Sequence, residues 1–134
     1  MKPAMLAMVL VWFGGAAMAG TWEQGENKGL TVYRAIGQGI EATMVCDPEK
    51  LMEPPEYHLT FKVGGQEKSG EYVVSAGDQV AKAHLDYGTA MDADLAAIVA
   101  VLQSSASVDV SVDGASYQLV TDKPFAGKCG PEIQ

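Results

Sequence analysis

Histidine and cysteine are scarce in this chain, with two of each among 134 residues. His58 and His84 lack i, i+4 spacing, and Cys46 and Cys129 form no C-x-x-C pair, so no zinc site or other metal centre is expected. Basic side chains are also few. Nine Lys and Arg stand against 17 Asp and Glu, a formal charge of −8. With no Lys/Arg cluster as an exception, that balance repels nucleic acid and anionic lipid surfaces. The chain has no G-x-S-x-G elbow, and the serine contexts Ser69-Gly70 and Ser116-Tyr117 do not replace one. No uninterrupted apolar run reaches the roughly 20 residues that span a bilayer.

What is present starts at the N-terminus, "MKPAMLAMVLVWFGGAAMAG". Lys2 supplies a short positive region, Met5 to Phe13 are apolar, and Ala17-Met18-Ala19 gives an A-x-A cleavage pattern. These are the parts of a secretory signal, in the order that export machinery reads them. The expectation is that residues 1–19 are removed and that 20–134 form a single domain with one core. The expected destination is the periplasm, with extracellular release as the alternative, and no stable membrane insertion once the signal is gone.

Export changes the meaning of the cysteines. Both lie beyond the signal, and an even count in an oxidising compartment favours one disulfide, Cys46–Cys129. It would close a loop of about 80 residues, for which chain entropy suggests about 4.5 kcal/mol of stabilisation. A thiol catalyst is correspondingly not expected, because the bridge accounts for both sulfurs.

Period-two patterns dominate the rest. "TWEQGENKG" (residues 21–29) is polar around Trp22 and reads as a lead-in segment with one aromatic anchor. "LTVYRA" and "IEATMVC" flank Gly37 and Gly39 and predict a hairpin. "DPEKLMEPPE" is a connection, because Pro48, Pro54 and Pro55 resist ladder pairing. Tyr57, Leu59, Phe61 and Val63 alternate with polar residues, then Gly64-Gly65 turns the chain into "GEYVVSA". "QVAKAHLDY" alternates more weakly and is also read as a strand. The period then changes: Met91, Leu95, Ile98, Val99 and Leu102 fall on one helical face, with Thr89 or Asp92 as the expected cap. Asp113-Gly114 between "VDVSV" and "ASYQLV" predicts a type I′ hairpin. The expected fold is mainly β, a compact antiparallel sandwich or open barrel of about seven strands with one helix in the C-terminal half, on the border of α+β.

Three further patterns invite chemistry. Gly37-x-Gly39-x-x-Ala42 approaches the dinucleotide-binding glycine motif, but a strand-like run follows where that motif needs a helix N-terminus. Asp109-x-Ser111-x-Asp113-Gly114 copies half of a calcium loop, yet the twelfth position is Val120 and not a bidentate Glu. Both are read as hairpins, and no cofactor is expected. His58 and His84 are the only candidate general bases, and nothing in sequence supplies their partners. The many acids could form a glycosidase pair, but their abundance makes any chosen pair uninformative.

Two resemblances add to this reading. Trp22, the strand ending at Cys46, and a late hairpin followed by Cys129 resemble small exported bacterial proteins related to invasion-associated locus B. That likeness implies a periplasmic or surface-associated β domain and gives no catalytic residue. Separately, "KSGEY" is similar to the Ser-Gly-x-Tyr element of exported c-type lysozyme inhibitors, whose serine-bearing loop enters the enzyme cleft. The resemblance implies Ser69, Gly70 and Tyr72 as an inhibitor loop. The expected function is therefore a non-enzymatic exported domain that binds an exported or envelope protein, with inhibition of an exported hydrolase as the alternative.

Overall fold

The computed structural model describes residues 20–127, so the signal segment and Cys129 lie outside the described residues. Nine strands and one helix are found among them. The strands are β1 (Glu23–Asn27), β2 (Leu30–Ile36), β3 (Ile40–Cys46), β4 (His58–Val63), β5 (Gly70–Ala76), β6 (Gln79–Leu85), β7 (Thr89–Ala90), β8 (Ser107–Val112) and β9 (Ala115–Val120). The helix α1 spans Asp92–Ser104, between β7 and β8. The chain is thus mainly β, in two wholly antiparallel sheets with one helix.

One sheet has five strands in the order β1-β2-β3-β4-β7, and the other has four, β9-β8-β5-β6. Register decides which side chains meet. Met44 pairs with Leu59 and Ala42 with Phe61, which puts the buried residues of β3 and β4 on one face. In the second sheet Tyr72 lies between Ala83 and Val112, and Val74 between Ala81 and Val110. Aromatic stacking of Phe61 on Tyr72, with centroids 5.9 Å apart, joins the two inner faces. The helix buries Leu95, Ile98, Val99, Val101 and Leu102, packs on β6 and β5, and touches β4 and β7. It therefore fills the space between the sheets on that side.

Local chemistry agrees with most of the expected turns. Asp113 and Gly114 both have positive φ, 52° and 81°, as a type I′ turn requires. Gly39, at φ 72°, turns the β2–β3 hairpin, and Gly37 donates its N–H to the Ile40 carbonyl at 2.7 Å.

Four expectations need correction. Residues 23–27 form a strand, not an irregular lead-in. β1 is an edge strand exposed along its whole length, so no apolar alternation marks it in sequence. The turn Tyr87-Gly88 adds the two-residue strand β7, which is too short to leave a period. At the helix start, neither Thr89 nor Asp92 caps: Met91 occupies the N-cap position without a side-chain cap hydrogen bond, and Thr89 Oγ1 instead lies 3.0 Å from Thr60 Oγ1. Met91 also leaves the buried face and is 55% exposed. Trp22 does anchor its segment, meeting Phe125 edge-on with centroids 4.9 Å apart.

Candidate functional site: an acid-rimmed apolar groove

Asp47 organises the connection between β3 and β4. Its carboxylate accepts hydrogen bonds from the backbone N–H groups of Leu51 (2.7 Å), Met52 (2.9 Å) and Glu56 (3.2 Å). Burial by itself would push this carboxyl up, but the N–H groups of Met52, Leu51 and Glu56 together outweigh it and hold it below the usual range. The Asp47 side chain has no solvent-accessible surface, although the loop covering it is exposed on its far side. The Tyr57 hydroxyl then donates to the Asp47 carbonyl at 2.9 Å. An eleven-residue connection with three prolines is thereby held in one shape.

That shape leaves a hollow of about 760 Å³ between the connection and the start of α1. Leu95 forms its buried floor, and Pro54, Pro55, Tyr57 and Met91 its apolar walls. Two carboxylates, Glu56 and Asp92, share the lining, and no Lys or Arg does. Glu53 and Asp94, the sequence neighbours of the lining residues Pro54 and Ala93, are exposed. The same connection presents Leu51 at 54% and Met52 at 39% exposure. An apolar floor with charge on its margin has the composition of a binding groove.

The residues singled out from sequence lie elsewhere. Ser69 and Gly70 stand at the start of β5, where Ser69 Oγ accepts the Tyr87 N–H at 2.8 Å. Tyr72 is fully buried, and its hydroxyl donates to the Lys68 carbonyl at 2.6 Å, so it braces that turn from below. Asp113, in the β8–β9 turn, places a carboxylate 3.6 Å from Lys68 Nζ. The structure therefore places the Ser-Gly-x-Tyr element at the entry to β5, with Ser69 and Glu71 exposed and Tyr72 buried.

The histidines sit on the outer faces of different sheets. His84 Nδ1 is 3.0 Å from Glu71 Oε2 and its Nε2 is 3.4 Å from Asp86 Oδ1. His58 Nδ1 is 3.4 Å from Glu56 Oε2. Among the described residues no group of three or more His, Cys, Asp or Glu is placed to hold a metal ion. Asp109 accepts from Gln118 Nε2 at 3.2 Å, a cross-strand contact within the β8–β9 hairpin. None of the described helices is long and apolar enough to cross a membrane.

Reading the sequence missed the groove because its parts are separated by more than thirty residues and share no motif. The available signal was the misplaced apolarity of "KLMEPP", a connection that exposes Leu51 and Met52. A smaller hollow of about 470 Å³ beside Trp22, Tyr33 and Phe125 ends at Gly127, the last described residue. Comparison of the chain with protein-family models, curated proteins and solved structures finds no match.

Proposed function

We propose that this chain is an exported, non-enzymatic β domain whose work is to bind another macromolecule through the groove between residues 54–57 and the start of α1. The observation behind this reading is the groove itself, apolar inside, carboxylate-bearing, and held open by the Asp47 hydrogen bonds. A preorganised surface loses less freedom on association than a flexible one, so more of the contact energy appears as affinity. The secretory pattern of residues 1–19 supports export. The position of His58 and His84 on different sheets, His58 beside Glu56 and His84 beside Glu71 and Asp86, favours a structural role for both. Site-directed photo-crosslinking in the native export compartment tests the reading. A probe at Met91 should trap a partner that a probe at Gln118, on β9, does not. Reproducible absence of any adduct from Met91 would overturn it.

A Cys46–Cys129 staple belongs to the same reading. Cys46 is fully buried at the end of β3 and shares a sheet face with Tyr33 of β2. Gly127, two positions before Cys129 in sequence, lies against the Tyr33 ring.

A second reading, inhibition of an exported hydrolase, is favoured by the bracing of the Lys68–Ser69 segment by Tyr72 and Tyr87. An acidic chain also suits a basic lysozyme. A lysozyme inhibition assay decides it, with Ser69→Trp abolishing any inhibition. Full lysozyme activity in the presence of the wild-type chain ends this reading.

A further inference from the structure

Resting on the binding reading above, we propose that the groove takes a short basic amphipathic peptide segment of an exported partner. Its apolar side chains would lie on Leu95, Tyr57 and Pro55, and its Lys or Arg side chains would reach Glu56 and Asp92. The charge around the groove selects this occupant. Glu56 and Asp92 line it, the exposed Glu53 and Asp94 adjoin lining residues, and no Lys or Arg lines it. A helix N-terminus ordinarily favours anions, but Asp92 and Asp94 occupy that first turn and oppose them. Anionic lipid is repelled for the same reason, and a second copy of an acidic chain brings the wrong charge to the same rim.

Shape agrees with charge. The floor residue Leu95 is 1% exposed while Ala93 and Ala96 beside it are exposed and small, so a facing helix or extended segment can approach α1 closely. The opposite wall, Pro54 and Pro55 with Tyr57, is stiff, because Asp47 and Tyr57 fix the backbone at both ends. An apolar strip flanked by carboxylates is the complement of an apolar strip flanked by ammonium or guanidinium groups. The steering part should be salt-sensitive and the apolar part should not.

The test uses the full exported chain and three synthetic probes of equal length. One carries Leu on one helical face and Lys on the other, the second Leu and Glu, and the third Gln and Lys. The Leu/Lys peptide should bind saturably, with amide shift changes centred on Tyr57, Met91 and Ala96, while the other two should not bind. Ala96→Arg should weaken binding by about tenfold or more. Ala93→Arg serves if Ala96→Arg disturbs the fold. Asp92→Asn together with Glu56→Gln should weaken binding severalfold and flatten its salt dependence; Asn suits the positive φ of 55° at position 92, so only charge changes. Equal binding of the Leu/Glu peptide, shifts centred elsewhere, anionic vesicles occupying the groove, or dimerisation through it would each overturn the proposal. If a probe at Met91 traps a partner but the Leu/Lys peptide does not bind, this proposal falls and the binding reading stands. If Met91 traps nothing, the binding reading itself falls.

Discussion

Tyr57 and Asp47 close a loop on each other: the phenol of one donates to the backbone carbonyl of the other at 2.9 Å, ten residues earlier. The Asp47 carboxylate meanwhile takes three N–H groups from the chain between and just beside them. One buried residue thus uses its side chain and its main chain to shape the wall of the groove, without itself lining it.

Acid should loosen that loop in a way that depends on Asp47. Its folded pKa is depressed, so its contribution to stability is complete above the ordinary carboxyl value of about 4 and is lost as pH falls through the folded value. Asp47→Asn should lower Tm at neutral pH and lose less than wild type on acidification below pH ~4. Hydrogen exchange at Leu51, Met52 and Glu56 should accelerate in the variant. Parallel acid limbs for the two proteins would contradict this account.

The alkaline side concerns Tyr72. Burial, then the nearby Asp113 and Tyr117, push its phenol above the ordinary tyrosine value. The stability it contributes is therefore complete below about pH 10 and lost as pH rises through the folded value. Ultraviolet titration should find one of the five tyrosines ionising last, together with unfolding. Tyr72→Phe should remove that late step and, by deleting the bond to Lys68, cost about 1 kcal/mol in denaturant unfolding.

Two glycines separate backbone strain from close contact. Gly88, at φ 72°, donates no side chain where a Cβ would press into the Phe61 carbonyl oxygen, while its own carbonyl accepts the Phe61 N–H at 2.8 Å. Gly77, at φ 59°, has open space around it. Gly77→Ala should cost about 1 kcal/mol, the conformational penalty alone. Gly88→Ala should cost clearly more, by 2 kcal/mol or about that, with shifts reaching Tyr72. Equal losses at the two sites would mean that the contact with Phe61 is unimportant.

The exported protein should have lost residues 1–19, and its intact mass should be two hydrogens below that of the reduced chain. Cys46→Ser with Cys129→Ser should then lower stability by about 3–5 kcal/mol and make Tm insensitive to reductant. Free thiols in oxidised, freshly exported material would remove the staple.

Much of the fold is legible from residue order because its determinants are local. Alternation at Tyr57–Val63 became a strand whose Leu59, Phe61 and Val63 are buried, and Asp113-Gly114 became the expected turn. The same reasoning explains why Gly37 and Gly39 form a turn and not a phosphate loop: β3 follows them. It failed at β1, where exposure on both faces erases the period, and at Met91, whose helical spacing did not distinguish the last buried turn from the first exposed position.

By itself, then, the sequence determined the mainly β class, the late helix, most turns and the acidity, since propensity, periodicity and charge act over a few residues. Only the tertiary structure decided that Tyr72 braces a turn from the core and that His58 and His84 face different sides. It alone brought Tyr57 and the 54–55 prolines against Met91 and Leu95. Those relations arise from sheet register and from where α1 packs, and both are set by burial across the whole chain, which no local pattern records.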